Sequence, residues 1–231
     1  FSVQLPAQYT TDWIRTAGNI AKTGVMSATD NLDNVIVTGY IQSQNIYTRK
    51  YDKLGNFQWE QNSASGIQGN YEKPVWANTD AGNNIFITGY RYSFSTSLGR
   101  DIPNAIVALK YNSAGVLQWK KTIAVSVAVG SSLPVFNLRA ETDARGNLYI
   151  GAGGAASPTG FVLYRLNANN GNTAFTRTSN VNSPIGFSSM RLKGNSIVMT
   201  GRSSDVTGIP VIAFSTSGSV QWTRKLAGRG G

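Results

Sequence analysis

The feature that most constrains this chain is that it repeats itself. The segment Val25 to Gly39, VMSATDNLDNVIVTG, returns fifty positions later as VWANTDAGNNIFITG, Val75 to Gly89, with Thr-Asp, an Asn-bearing turn and Thr-Gly in register. A third copy starts at Leu138 (LRAETDARGNLYIGA), keeping Thr142, Asp143 and Asn147 but carrying Gly151-Ala152 where the others have Thr-Gly. A fourth, Met190 to Gly201 (MRLKGNSIVMTG), lacks the Asp and tightens its turn to Gly194-Asn195. A second motif follows each first one: YDKLGNFQW (Tyr51 to Trp59), YNSAGVLQW (Tyr111 to Trp119) and FSTSGSVQW (Phe214 to Trp222). In the third repeat it is LNANNGNTAF, one residue longer and ending in Phe175. Self-similarity at a fixed period means that one supersecondary unit is built several times and stacked.

Each motif carries a hairpin signal, an apolar β-branched run, a Gly, Asn or Asp turn, and another such run. Two hairpins per repeat give four strands in roughly fifty residues, the unit of a β-propeller blade. No segment carries a capped helical period, so the sequence predicts an all-β propeller of four-stranded antiparallel blades. The blades are expected near 24–62, 74–122, 137–178 and 188–226. Asp12-Trp13-Ile14-Arg15-Thr16 aligns with Gln58-Trp59-Glu60-Gln61-Asn62, which predicts that 12–17 is the outer strand of a preceding blade. The expectation is a single domain of about four blades plus that strand, an arc of a larger ring. Gly39, Gly89 and Gly201 are expected to end second strands, where the chain bends or sheets approach closely. Trp13, Trp59, Trp119 and Trp222 are expected to pack between sheets. Asp30, Asp33, Asp52, Asp80 and Asp143 fall in turns, where a carboxylate bonds nearby backbone N–H groups.

The pattern resembles the bacterial β-propeller repeat family called SBBP. Blade two carries the likeness best, at Asp80, Asn83, Thr88, Gly89, Tyr90, the run Ala105 to Tyr111, Gly115 and Trp119; the likeness extends over roughly residues 12 to 226. It implies export, and among Bacteroidota an envelope or type 9 secretion setting. Phe1 in place of an initiator methionine fits removal of an export signal.

Composition narrows the chemistry. There is no Cys and no His, which excludes disulfides, thiol nucleophiles, histidine-dependent triads and the common zinc sites. Outside the turns the carboxylates are Asp12, Glu60, Glu72, Asp101, Glu141 and Asp205, and nothing in the sequence pairs two of them as glycoside hydrolysis requires. Asp-Asn-Leu-Asp-Asn at 30–34 is too poor in acidic ligands for a calcium loop. No glycine-rich phosphate motif opens a helix, so neither catalytic residues nor a metal nor a cofactor is expected. No apolar run approaches the ~20 residues of a membrane helix, so an integral membrane protein is not expected.

Lys and Arg number 21 against 11 acidic residues, a formal charge of +10. Lys50, Lys110 and Arg165 recur at one blade position, and Lys120-Lys121 and Arg224-Lys225 follow the outer-strand Trp. The expectation is protection of sheet edges against aggregation, with acidic polysaccharide, lipid headgroups or an acidic protein as the alternative, a charged partner. No basic tract or nucleic-acid motif accompanies the charge, so nucleic acid is not expected. Three connections look long, Asn62 to Pro74, Arg91 to Asn104 and Ile123 to Phe136, and all lie on one face of the blades. Tyr71, Lys73, Arg91, Tyr92, Phe94 and Arg100 on that face are the candidate binding residues. The functional expectation is a non-catalytic scaffold for protein partners in a cell-envelope assembly. The alternative is a carbohydrate-binding or carbohydrate-active propeller, which would need a row of exposed Trp or a channel carboxylate pair.

Overall fold

Short Val-, Ile-, Thr- and Tyr-rich runs, each stopped by an Asp, Asn or Gly turn, can satisfy their backbone groups only by pairing with the next run. The computed structural model describes residues 13–15, 22–41, 45–97, 99–125, 137–154, 157–179, 184–203 and 208–227, and all its regular structure is strand. The first sheet holds β1 (Lys22–Thr29), β2 (Val35–Ile41), β3 (Asn45–Tyr51) and β4 (Phe57–Ala64). The second holds β5 (Asn70–Thr79), β6 (Ile85–Ser95), β7 (Arg100–Tyr111) and β8 (Leu117–Ala124). The third comprises β9 (Leu138–Thr142), β10 (Leu148–Gly154), β11 (Ser157–Leu166) and β12 (Thr173–Ser179). The fourth comprises β13 (Pro184–Lys193), β14 (Ser196–Ser203), β15 (Ile209–Ser215) and β16 (Val220–Leu226). Every sheet is an antiparallel meander in chain order, and the first strands of successive blades lie side by side.

One turn chemistry recurs. Asp30 Oδ1 accepts the backbone N–H of Leu32 at 2.9 Å and of Asn34 at 3.0 Å, while its Oδ2 accepts from the Asn34 amide at 2.9 Å. Asp52, Asp80 and Asp143 hold the same three groups of their own turns, and Asn112 holds the two backbone ones. The residue three places after each of these is left-handed: Asp33 (φ 60°), Gly55 (φ 78°), Asn83 (φ 58°), Gly115 (φ 83°) and Gly146 (φ 76°). Asp33 therefore differs from its expected role. It supplies the left-handed backbone, which Asp tolerates better than most residues, and Asp30 does the capping.

The glycines that close the Thr-Gly motif sit inside second strands, not at their ends. Gly39 pairs with Gly24 and Thr38 with Met26, leaving Val25 as an extra residue of β1. Gly89 and Gly201 face the same kind of bulge, with Val75 and Ser188 extra. A bulge pushes the first strand's backbone across the pair, and a Cβ on Gly39 or Gly89 would land on the carbonyl oxygen of Thr23 or Lys73. Blade three pairs Gly151 with Arg139 without a bulge. There the glycine makes room for the next blade, since a Cβ would press on Met190 and Phe187.

Blades pack face to face through three apolar clusters. Ile36 and Ile46 meet Ile85, Ile87 and Val107 between blades one and two. Phe86, Tyr90 and Trp119 meet Leu138, Ile150 and Val162 between two and three. Tyr149, Phe161 and Leu163 meet Phe187, Met199 and Ile212 between three and four. Each last-strand aromatic then rests on the turn glycine of the following blade, Trp13 on Gly55, Trp59 on Gly115, Trp119 on Gly171 and Phe175 on Gly218. Trp13 to Arg15 belong to no strand, yet Trp13 takes this seat and Arg15 Nε donates to the Gly55 carbonyl at 2.8 Å. Trp222 differs, being 39% exposed.

Two cations reinforce the seat, which corrects the expectation for the third-strand lysines. Lys50 is directly opposite Trp59, and Lys50 Nζ and Trp59 Nε1 both donate to the Ser113 carbonyl, at 3.2 and 3.1 Å. Lys110 and Trp119 do the same to Ala168, both at 3.0 Å. These lysines are on inner strands and hold blades together; they do not guard an edge. Lys50 also pairs with Asp30 at 2.8 Å, both side chains nearly fully buried. Burial pushes the Asp30 carboxyl up, but Lys50 and the turn N–H groups outweigh it and hold its pKa below the ordinary 3.8. A depressed carboxylate stabilises the fold above its unfolded pKa and loses that contribution as pH falls through the folded value. The thermal midpoint is thus expected to fall steeply below about pH 4, and Asp30→Asn to flatten that acid limb. Midpoints measured from pH 7 to pH 2 check this.

Candidate functional site

The blade-two strands outgrow their sheet. β6 and β7 have 11 and 12 residues, against seven each for β2 and β3. Their ladder continues through Tyr92 and Pro103, Ser93 and Ile102, and Phe94 and Asp101 to Ser95 and Arg100. β5 follows on the other side, pairing Tyr71 with Tyr92 and Asn70 with Ser93. The expected long loops Asn62 to Pro74 and Arg91 to Asn104 are therefore mostly strand. Their β-branched and aromatic residues find cross-strand partners, and among the described residues only 65–69, 96–97 and 99 remain outside the strands. A three-stranded ribbon projects where loops were expected. The third connection is described only as far as Val125, so 126–136 lie outside the described residues.

Three of the six candidate residues come together on this ribbon. The rings of Tyr71 and Tyr92 stack with centroids 5.3 Å apart and planes 9° apart. Lys73 Nζ stands 5.1 and 5.5 Å from those two centroids and 4.9 Å from that of Tyr40. An ammonium within about 6 Å of three ring faces is held by their quadrupoles. Tyr40 is the member that sequence reasoning missed, although the Thr-Gly-Tyr shared by residues 38–40 and 88–90 pointed to it. Burial first, then the hydrogen bond to Asp101, push the Tyr71 hydroxyl far above its usual range. Burial, then the Asp101 charge, raises Tyr92. Both are therefore neutral hydroxyls near pH 7.

The other three separate. Arg91 Nε donates to Asn104 Oδ1 at 2.8 Å, and the Asn104 amide donates to Asn70 Oδ1 at 3.1 Å, so Arg91 braces the ribbon. Phe94 is 61% exposed near the tip. Arg100 is half-buried beside it, and its Nε is buried without a hydrogen-bond partner among the described residues. On the base of the ribbon Glu72 is buried and paired with Lys120 at 2.8 Å, and Lys120 also donates to Ser63 Oγ at 3.1 Å in blade one. The ribbon thus has an aromatic base, tied to the neighbouring blade, and one exposed aromatic side chain, Phe94, near its polar tip.

An all-β chain of four-stranded antiparallel meanders, stacked by a repeated aromatic seat, has a β-propeller fold. Solved structures agree. The Dos1 propeller superposes with a TM-score of 0.56 at 9% identity, over 89% of this chain and 48% of that one. A protein of unknown function from Dyadobacter fermentans gives 0.54 at 10% identity, over 90% and 70%. The apocarotenoid oxygenase of Synechocystis gives 0.52 at 8% identity, over 92% and 52%. At such identities the likeness is one of fold alone, and the chain spans about half the length of the Dos1 propeller. The chain matches no protein-family model, and no curated protein matches it in sequence.

Proposed function

We propose that this protein is a non-catalytic propeller scaffold of the SBBP-like type, exported to the periplasm or cell surface. In this reading it holds a protein partner of a cell-envelope secretion or adhesion assembly through the blade-two ribbon. The observation that carries the reading is the ribbon itself, an ordered projection that ends in an exposed Phe94 and an incompletely bonded Arg100. Aromatic and Arg side chains dominate binding hot spots, and a base already paired into strands lowers the ordering cost of using them. The described carboxylates outside the turns also favour binding over catalysis, because each has a structural partner. Glu60 is held by Arg49 and Tyr47, Glu72 by Lys120, Glu141 by Arg191 and Asp101 by Tyr71. The test replaces Tyr92 and Arg100 together by alanine and compares what co-purifies with the protein from its native envelope. Loss of a stoichiometric partner, with the thermal midpoint of the doubly substituted protein kept within a few degrees and the same partner lost from the exposed-site variant Phe94→Ser, is expected. An unaltered set of partners would overturn the assignment.

A further inference from the structure

The repeated blade seat breaks at one place. Between blades three and four the position of Lys50 and Lys110 is Arg165, the position of Trp59 and Trp119 is Phe175, and the position of Ile36 and Phe86 is Tyr149. The carbonyl that should receive the lysine and the indole is that of Thr216. Here the Tyr149 hydroxyl takes that place, its one hydrogen shared between the carbonyl at 3.1 Å and Asp143 Oδ2 at 3.2 Å. Phe175 has no N–H to offer. Arg165 hydrogen-bonds the Tyr149 hydroxyl, while its Nε is buried with no hydrogen-bond partner among the described residues. No ion pair joins it to Asp143 among those residues, unlike Lys50 and Asp30.

At this break a cleft of about 460 Å³ opens, lined by Arg145 and Arg165, by Asn147, Tyr149 and Asn195, and by Thr216 and Ser217 among others. It lies on the short-turn rim, at the opposite end of the strands from the ribbon tip. Two guanidinium groups line it against one carboxylate, that of Asp143. That carboxylate is already engaged by the N–H groups of Arg145 and Asn147, the Asn147 amide and Tyr149. Such a lining suits an anion, because a guanidinium fork matches a planar carboxylate or a phosphate. Its size and lining decide between these anions. The volume falls in the range of small-molecule sites and far exceeds what a bare phosphate fills. The residues that line it are mostly polar, with Ala144 the one aliphatic side chain among them, while much of the exposed lining is carbon, a mixture that suits the hydroxyls and the C–H faces of a pyranose better than the side chain of a peptide C-terminus.

We propose that the cleft between blades three and four binds an acidic sugar, a pyranose carrying a carboxylate, with Arg165 and Arg145 on the carboxylate and Asn195, Thr216 and Ser217 on ring hydroxyls. The site is independent of the ribbon and goes beyond the scaffold reading. The same chemistry is offered by a free uronic acid and by the end residue of an acidic glycan. Calorimetric titration of the intact protein tests the site, using glucuronate, galacturonate, glucose, galactose, inorganic phosphate and a galacturonate oligomer as probes. At least one uronate is expected to bind at least about tenfold more tightly than its neutral parent, with affinity falling as salt rises. Arg165→Gln should lower that affinity about tenfold, and the exposed Arg145→Gln about threefold. The pair Tyr149→Phe with Arg165→Lys restores the residue types of Phe86 and Lys110 and should abolish binding while the thermal midpoint is kept. Equal affinity for monomer and oligomer marks a free-sugar site, and a tighter oligomer marks a glycan end; either supports the proposal. No uronate binding, affinity indifferent to both arginines, or phosphate binding as tightly as the uronates would overturn it.

Discussion

Gly89→Ala is expected to cost about 3 kcal/mol, the upper part of the range for overpacking an interior, and to lower the thermal midpoint by about 6–12 °C. The φ of Gly89 is ordinary, so the cost is not one of backbone conformation. It arises because the bulge at Val75 carries the β5 backbone over β6 and leaves the Lys73 carbonyl where a Cβ would stand. The obstacle is the backbone of β5, paired with β6 on both sides of the bulge, and it cannot yield as a flexible side chain can. Gly24→Ala, at a bulge but with open space where the methyl would go, is the matched control and should change stability by less than about 0.5 kcal/mol. Denaturant titrations of both variants provide the measurement. Equal effects at the two positions would show that the bulge does not dictate the glycine.

Trp119→Ala should cost about 3–5 kcal/mol, as for deletion of a large buried aromatic. The indole is 7% exposed, packs edge-on to Phe86 at 6.0 Å, covers the Gly171 turn and donates to Ala168. Trp119→Phe keeps most of the packing and removes one donor from a carbonyl that Lys110 still serves, so about 1 kcal/mol is expected. Trp222→Ala, at the same repeat position but 39% exposed, should cost less than about 1 kcal/mol. The contrast between chemically identical substitutions measures the blade seat itself. Similar losses at 119 and 222 would mean that the indoles act within their own sheets.

What was legible in the sequence follows the range of the interactions. Turn chemistry acts over four residues, so Asp30, Asp52, Asp80 and Asp143 announced their turns and with them the strand order. The Trp repeat announced blade packing for the same reason that it repeats. Interactions between blades were not legible. Lys50 reaches Ser113 and Lys110 reaches Ala168, across 63 and 58 positions, so the sequence alone left them as surface charge. The end of β6 was read as loop because a serine-rich stretch running up to Gly99 has the composition of a loop, and only the ladder partners, Asn70 of β5 and Ile102 to Arg100 of β7, make 93–95 a strand. Its tyrosine cluster was half legible. Tyr71 and Tyr92 stood out as aromatics on one rim, whereas Tyr40 joins them only when blades one and two stack. The cleft left a trace as well, in the three departures at Tyr149, Arg165 and Phe175. They looked like a loose third repeat because nothing local shows that all three fall at one blade junction, where Tyr149 takes the Thr216 carbonyl.

The central claim, that the ribbon is the partner-binding element of this propeller, is tested most directly by site-specific photocrosslinking in the native envelope. The reactive side chain is placed in turn at residue 94 on the ribbon tip and at residue 54 on the short-turn rim, where Leu54 is similarly exposed. The account predicts one discrete crosslinked protein from position 94, absent when Tyr92 and Arg100 are replaced, and none from position 54. The same crosslinked protein from both positions, or from position 54 alone, would contradict it.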